Sequence, residues 1–529
     1  MPKLLTETRR FRTFAGDLWR YLGSEFPPEE CRALLVAQLR DRERTFLELL
    51  ERAVYARPPS PYRALLARVG AEHGDVASLV RDVGLERALG RLHEQGVYLT
   101  LEEFTGHRAI VRPGGFELPT RHEDFDNPVL RRGYAGMSGG SRRAPRRTMV
   151  DFGHFVNHTA YQRLYLEAFE LDGRPSVLWR PAPPAKSGFS NALRTLRLGV
   201  SVEWYAQNRS GFRDVQFQDW LALRAALVAT RLRGPALPFP RHVPLDRAEV
   251  VARRLAELVA AGTPAVFQAP GGSGVRVALA AAAEDLDFSG TVFRLGGEPL
   301  TRAKLDVIER VGAVAHCNYS MSELGRVGIG CASQDRLSID EVHVLTGKVA
   351  MFLRPTADGN VDVPALVITS LDPTTPKLML NVESGDTGVL VERDCGCAVG
   401  AAGYRLHLHT IRSYDKLTSE GTNFFGGELM RLVEDVFPAR FGGGPTDYQF
   451  VEDEQDGLPR VRLFVSPRVG AVDDRAILEQ ALGGLGEGPG YRKMMAGIWR
   501  DGVTLTVERS EPFHTAAAKI PPLHVLSRP

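Results

Sequence analysis

A succession of strands and helices between residues 246 and 319 constrains the fold of this chain more than any other feature. Apolar residues recur first at helical and then at strand spacing. The pattern predicts a helix ending at Gly262, strands at 265–268 and 291–295, a helix from about Thr301 to Arg310, and a strand at 312–317. Asp246 and Glu249 predict a capping box ahead of the first helix. Strands that alternate with helices pair in a parallel or mixed sheet covered by helices, so the predicted fold class is α/β.

Length and charge limit the kind of protein that the chain can be. With 529 residues it is too long for one ordinary core, so about two to four domains are expected. A net charge of +2 argues against a nucleic-acid or membrane partner, and the sequence has no apolar run long enough to span a bilayer. Five cysteines are too few for a disulfide framework in a chain of this length. We therefore expect a cytoplasmic protein.

The two ends of the chain differ from its middle. Residues 1–57 read as helical, and Pro27 and Glu29 give a typical helix opening. This segment could pack on the rest of the chain or mediate homodimerisation, and the sequence does not decide between them. The roughly 110 residues after Asp415 suit a separate small α+β domain.

The polar segment Asn318-Tyr319-Ser320-Met321-Ser322-Glu323 follows an apolar stretch that reads as a buried strand. Its amide, ring, hydroxyls and carboxylate can stack on a purine, bind phosphate and hold magnesium. Open α/β sheets bind their ligands at the carboxyl ends of strands. The segment is therefore a candidate nucleotide site, although an ordinary polar loop would also explain it.

Four further segments carry candidate ligand groups, and each has a plainer alternative. Glycines, hydroxyls and guanidinium groups between Ser138 and Arg147 suit phosphate, or form an exposed basic loop; the sequence is not a Walker loop. The glycines before Glu298 would let a flat ligand lie on the backbone, or form a plain turn. Asp386 could accept ribose hydroxyls, or lie in a turn without a ligand. Lys519, near the terminus, is most simply a solvated charge.

Taken in order, these segments resemble the adenylate-forming superfamily of acyl-CoA synthetases, adenylation domains and luciferases. The nearest subgroup is the phenylacetate–CoA ligase-like proteins, and the resemblance covers about residues 58–521. Each motif is weak, but the ordered set is specific. The matching segments are Ser138 to Arg147, Gly296 to Pro299, Tyr319 to Glu323, Pro364 to Asp386, Arg412 to Phe425 and Thr515 to Ile520.

The resemblance implies a large N-terminal domain of mixed sheets with flanking helices at 58–414 and a small, mobile α+β lid domain at 415–529, preceded by a helical extension at 1–57. It also implies that ATP and a small carboxylic acid, expected to be aromatic, form an acyl-adenylate and pyrophosphate. An acceptor, CoA in many members, then displaces AMP.

The resemblance further assigns roles to single residues. The catalytic residues would be Lys519 on the α-phosphate, Glu323 as the Mg²⁺ ligand and Ser322 on phosphate. Tyr319 would stack on adenine, and Asp386 and Arg412 would hold the ribose. The other nucleotide contacts would be Ser138, Gly139, Gly140, Ser141, Arg142, Gly296, Gly297, Glu298, Asn318 and Ser320. Aromatic candidates for the acid pocket are Phe152, His154, Phe155, Tyr161 and Trp204, although packing in the core would explain most of them equally simply.

The chain departs from the family pattern at the hinge and near the acceptor. Tyr414 stands at the position of the hinge acid, and Glu420 stands where relatives often have a basic residue. An acid there would repel the phosphates of CoA, or is simply solvated. The acceptor is thus either CoA, or an amine, a carrier-protein thiol or another nitrogen nucleophile. A third hypothesis is a non-catalytic relative that binds nucleotide.

Some members of the subgroup carry a structural zinc, and this chain has three of the four ligands by match, namely Cys331, Cys395 and Cys397. The fourth falls at Ser338, although His343 is close. Three thiolates and one imidazole would complete a tetrahedral Zn²⁺ site. Reduced, partly buried thiols are the alternative.

Overall fold

A ten-stranded mixed sheet forms the centre of the molecule. The computed structural model describes residues 2–130, 134–137, 147–183, 185, 187–209, 217–334, 338–355, 364–413, 416–419, 422–425, 429, 431–487, 491–513 and 523–525. The large mixed sheet and the many helices confirm the predicted α/β class.

The α-helices of the described residues lie on both sides of the sheets and at both ends of the chain. They are α1 (Pro2–Gly23), α2 (Pro28–Arg40), α3 (Arg42–Leu50), α4 (Pro61–Arg68), α5 (His73–Val83), α6 (Leu85–Glu94), α7 (Leu101–Phe104), α8 (Phe152–Ala168), α9 (Ser187–Arg197), α10 (Phe217–Arg233), α11 (Ala248–Ala260), α12 (Gly271–Ala283), α13 (Arg302–Arg310), α14 (Ala398–Ala401), α15 (Phe437–Phe441), α16 (Asp474–Leu485) and α17 (Tyr491–Asp501). None of the helices in this part of the chain combines the length and the apolar character needed to cross a bilayer.

The strands fall into one large and several small sheets. They are β1 (Ile110–Arg112), β2 (Phe116–Leu118), β3 (Tyr134–Met137), β4 (Arg147–Val150), β5 (Ser176–Trp179), β6 (Val202–Ala206), β7 (Arg241–His242), β8 (Val266–Pro270), β9 (Val292–Gly296), β10 (Val314–Met321), β11 (Gly325–Gly330), β12 (Val342–Val344), β13 (Val349–Pro355), β14 (Pro364–Ser370), β15 (Val382–Glu383), β16 (Asp386–Glu392), β17 (Leu406–Ser413), β18 (Lys416–Ser419), β19 (Thr422–Phe425), β20 (Tyr448–Gln455), β21 (Leu458–Val465), β22 (Leu505–Arg509) and β23 (Leu523–Val525).

The large sheet has a parallel and an antiparallel half that meet at β10. Its strand order is β16-β17-β12-β11-β10-β9-β8-β5-β6-β7. Pairing is parallel from β10 to β7 and antiparallel from β10 to β16. The carboxyl ends of the parallel strands therefore lie at one edge, where ligands bind in folds of this kind.

The predicted elements between residues 246 and 321 all form, with two corrections. The capping box was wrong, because no side chain caps α11; Arg247 precedes the helix and its Nε donates to Glu249. Helix α12 was missed, since Gly271, Gly272 and Gly274 stand in its first turn. These glycines serve packing: a Cβ on Gly274 would lie 2.7 Å from a methyl group of Leu295 on β9.

The N-terminal helices pack on the large sheet's own helices. Tyr21 of α1 shares a 2.7 Å hydrogen bond with Thr159 of α8, and its ring contacts Phe152 and Phe155. The segment therefore packs on the rest of the same chain, which is one of the two alternatives that the sequence left open. Phe152 and Phe155, which were candidates for the acid pocket, contact this segment.

The C-terminal part has its own four-stranded sheet, ordered β22-β21-β20-β23, and its own apolar core, which includes Phe450 and Trp499. It contacts the helices that follow β8 and β9. Thr301 donates to Glu454 at 2.5 Å, and Arg276 donates to the carbonyl of Gly502 at 2.7 Å.

A buried ion pair gives a test of the fold. Arg112 contacts both carboxylate oxygens of Glu103, at 2.6 and 3.0 Å, and the two side chains are 3% and 4% exposed. Because Glu103→Gln would leave a buried guanidinium without its counter-ion, we expect it to lower the free energy of unfolding by about 3–5 kcal/mol. Urea denaturation measures this change.

The matched control is Glu94→Gln. Glu94 lies 3.4 Å from Arg354 with 65% of its side chain exposed, so the expected change is within about 0.5 kcal/mol. Equal losses in the two variants would contradict the role of burial.

Candidate functional site

The two glycines after β9 are required by the backbone. Gly296 pairs with Asn318 across the parallel strands, and a Cβ on it would lie 3.1 Å from the carbonyl oxygen of Asn318. Gly297 has φ of +83°, a conformation that glycine adopts without strain. The backbone at this strand end is therefore bare of side chains; the close approach of β10 accounts for Gly296, and Gly297 is the exposed member of the pair.

The polar segment lies within the strand rather than after it. β10 continues to Met321 and forms a hairpin with β11, so that only Ser322 and Glu323 occupy the turn. Ser322 Oγ donates to Glu323 Oε2 at 2.9 Å, while Ser320 is exposed. A half-exposed carboxylate beside a hydroxyl suits a hard cation such as Mg²⁺.

Tyr319 and Asp386 meet, although their strands lie four places apart in the sheet order. Tyr319 Oη donates to Asp386 Oδ2 at 2.7 Å, and Ser413 Oγ donates to Oδ1 at 2.6 Å. Burial, reinforced by the charge of Asp386, raises the pKa of Tyr319 well above its ordinary value. The tyrosine therefore stays protonated at neutral pH, and the bond fixes its ring.

Arg412 lies one residue before Ser413 on β17, but its side chain turns to a residue that the sequence did not indicate. Its Nη1 donates to Asp340 Oδ2 at 2.9 Å. Asp340 is buried and also accepts from the backbone amides of Thr410 and Ile411, at 2.7 and 2.8 Å. Asp340 thus positions the strand end that carries Arg412. No motif surrounds it, so no sequence signal could have found it.

The Glu298 side chain makes structural contacts and is not exposed to a ligand. Its Oε2 accepts from the amide of Gly272 at 2.9 Å and from Lys304 Nζ at 3.3 Å, with the side chain fully buried. The carboxylate therefore joins the first turn of α12 to α13.

Several predicted site residues lie outside the described residues. They are Ser138, Gly139, Gly140, Ser141, Arg142, Tyr414, Glu420 and Lys519.

Three cysteines and a histidine come together as candidate zinc ligands. The ligand atoms of Cys331, His343, Cys395 and Cys397 all lie within 4.8 Å of one another. His343 Nε2 is 3.2 Å from the sulfur of Cys397 and 3.8 Å from that of Cys395. Nδ1 of the same ring lies 2.7 Å from the carbonyl oxygen of Tyr404, an arrangement in which Nδ1–H donates and the Nε2 lone pair is directed at the thiols. The donor set and its spacing fit a tetrahedral Zn²⁺ site with His343, not Ser338, as the fourth ligand.

Sequence comparison identifies no relative: no protein-family model and no curated protein matches the chain. Solved structures do match. One is 2-hydroxyisobutyryl-CoA ligase in complex with 2-HIB-AMP and CoA in the thioesterification state, at 14% identity, covering 94% of this chain and 91% of that chain, with a TM-score of 0.55.

Two further solved structures match less well in shape. A malonyl-CoA ligase bound to methylmalonyl-CoA and AMP is 12% identical, with 72% and 71% of the two chains covered and a TM-score of 0.43. The amide bond synthetase McbA from Marinactinospora thermotolerans is 14% identical, with 93% and 98% covered and a TM-score of 0.34. The fold comparison therefore rests on the 2-hydroxyisobutyryl-CoA ligase, and the chain has the fold of the adenylate-forming enzymes.

Proposed function

We propose that this chain is an ATP-dependent, AMP-forming ligase. It adenylates a small carboxylic acid with release of pyrophosphate and then transfers the acyl group to CoA with release of AMP. The observation that carries the proposal is the convergence of Tyr319, Asp386 and the bare Gly296–Gly297 backbone at one edge of the sheet, beside Glu323. The fold comparison supports it.

In this function the residues at the strand ends bind and orient the nucleotide. Tyr319 stacks on adenine with its ring fixed by Asp386. A carboxylate accepts about four hydrogen bonds, so the bonds from Tyr319 and Ser413 are compatible with further bonds from ribose hydroxyls to Asp386. Arg412, held by Asp340, lies one residue before Ser413, which pairs with Asp386 across β16 and β17.

The reaction brings the negative charges of the acid and the α-phosphate together, so cations and donors must be placed in advance. Glu323 would hold a magnesium ion, whose charge would offset that of the phosphate oxygens. Ser322 and the segment from Ser138 to Arg142 bind phosphate, and Lys519 contacts the α-phosphate and the attacking carboxylate. We propose that residues 415–529 move as a lid over the large domain, residues 58–414.

The acceptor, the subgroup and the location remain proposals. We propose CoA as acceptor, the phenylacetate–CoA ligase-like subgroup and a cytoplasmic enzyme. The charge of Glu420 favours a second candidate, in which an amine, a carrier-protein thiol or another nitrogen nucleophile accepts the acyl group. Product analysis with CoA, amines or nitrite separates the two.

We also propose that Cys331, His343, Cys395 and Cys397 hold a structural Zn²⁺. All four side chains belong to β12 or to segments beside it, and a closed set of four protein ligands leaves no open position for chemistry. The metal would therefore stabilise the large domain and take no part in the reaction.

Exchange of labelled pyrophosphate into ATP, with a panel of acids, tests the adenylation step. We expect exchange in the wild-type protein and, because Lys519 contacts the reacting groups, a loss of at least about 100-fold in Lys519→Ala. The control is Lys493→Ala, which removes an exposed lysine of α17 and should leave exchange unchanged. Wild-type rates in Lys519→Ala would refute its role, and no exchange with any acid would leave only a non-catalytic nucleotide-binding relative.

Metal analysis tests the zinc site. The purified protein should contain about one equivalent of zinc per chain, and Cys395→Ser should lose it and unfold at a lower temperature, because metal binding is coupled to folding. Cys31→Ser is the matched control, since Cys31 is a buried thiol on α2, and it should keep its zinc. A wild-type protein without zinc would end the proposal.

A further inference from the structure

Four arginines from four separate segments converge inside the large domain. Arg180 follows β5, Arg194 lies on α9, Arg294 on β9 and Arg326 on β11. The guanidinium of Arg294 lies 4.3 Å from the centre of the Tyr165 ring of α8. We call these four residues the arginine group.

Three members of the arginine group are buried and the fourth, Arg180, is partly buried, and much of their hydrogen-bonding capacity is unused. Arg294 is 2% exposed, Arg326 7% and Arg194 8%. Neither Nη1 nor Nη2 of Arg294 has a partner, and neither Nε nor Nη1 of Arg326 has one; the Tyr165 hydroxyl is also unpaired.

Arg180 and Arg194 contact neutral groups, namely two oxygens and the ring of Phe155. Arg180 Nη2 donates to the carbonyl of Ala269 at 3.0 Å, and Arg194 Nη2 donates to Asn191 Oδ1 at 3.1 Å. Within the described ranges, no carboxylate forms an ion pair with any of the four arginines.

Such an arrangement is unfavourable unless an anion binds. The desolvation penalty for burying an ion is larger than the stabilisation that one cation–π contact returns. Burial lowers the pKa of Arg180, Arg194 and Arg294 to about 10, and for Arg180 and Arg194 the neighbouring arginines lower it further. All three nevertheless stay protonated at neutral pH, so within the described part of the chain their positive charge has no carboxylate counter-ion.

The arginine group adjoins the candidate nucleotide site. Arg294 stands two residues before Gly296 on β9, and Arg326 pairs with Ser320 across β10 and β11. Two residues along a strand span about 7 Å. A small acid could therefore place its reacting carboxylate at the strand ends and a second group among the guanidiniums.

We infer that the acid adenylated by this protein carries a second anionic group, and that the arginine group binds it. The substrate class is thus a dicarboxylic acid, or an acid with an equivalent second anion, with or without an aromatic ring between the two groups. Arginine forks bind such oxyanions through paired, charge-assisted hydrogen bonds. This inference rests on the proposed function for the reacting carboxylate, but the binding of the second group can be measured without ATP.

The first experiment measures thermal unfolding of the full chain without ATP, in the presence of dicarboxylic acids of graded length. Each is compared with the monocarboxylic acid in which a methyl group replaces one carboxylate, and with sulfo- and phosphonocarboxylic acids. We expect the melting temperature to rise with at least one dianion and not with its monoanionic partner. No rise with any dianion would overturn the inference.

Arg294→Met tests the site itself, with Arg294→Lys as the variant that keeps the charge and Arg91→Met as a control at an exposed arginine. Removing a buried charge without a partner should raise the melting temperature of the ligand-free protein. Arg294→Met should also abolish the shift caused by the dianion, Arg294→Lys should keep part of it, and Arg91→Met should keep all of it. A lower melting temperature in ligand-free Arg294→Met would instead assign Arg294 a structural role and overturn the inference.

Pyrophosphate exchange separates this inference from the proposed function. With the acid that binds best, Arg294→Met should slow exchange by roughly 10- to 100-fold, as expected for the loss of charged hydrogen bonds, and should leave exchange with the monoanionic partner unchanged. Equal losses with all acids would mean that the arginines bind ATP, which contradicts the inference. A dianion that binds but supports no exchange would contradict the proposed function and leave the anion site standing.

Discussion

The hydrogen bond from Tyr319 to Asp386 is the contact on which the candidate site depends. It joins the end of β10, in the middle of the large sheet, to the start of β16 at its edge. Strands so far apart in a sheet do not meet through the ladder, so a side-chain contact must bring them together. Burial keeps the tyrosine protonated, so the bond persists over the whole neutral range. Asp340 likewise fixes the end of β17, because its carboxylate accepts hydrogen bonds from two backbone amides and from Arg412.

The sequence predicted what is local. Strand and helix patterns between residues 246 and 321 follow from the spacing of apolar residues, and the motif segments could be ordered along the chain without knowing their contacts. Predictions failed where the physical cause is not local. Helix α12 opens with glycines, one of which packs against Leu295. The cap expected from Asp246 does not form, and Arg247 instead forms a hydrogen bond with Glu249.

Tyr319 and Asp386 were assigned to one site by their motifs, but other contacts between distant segments left no signal in the sequence. Asp340 lies outside every motif, and the four members of the arginine group are spread over about the length of a typical domain along the chain. A single arginine in a sequence says nothing about whether a carboxylate will face it in the fold. His343 is an intermediate case: in the sequence it lies close to Ser338, the matched position of the fourth ligand, and in the structure it lies with the three cysteines.

Tyr404 connects the cysteine–histidine cluster to residues outside the ligand set. Its carbonyl oxygen lies against His343 Nδ1, while its hydroxyl donates to the carbonyl of Leu35 on α2. One residue thus connects the imidazole to the N-terminal helical segment. Fixing that ring in place would restrain α2 through two hydrogen bonds, so an ion in the cluster would add to the contacts that anchor this helix to the body of the protein.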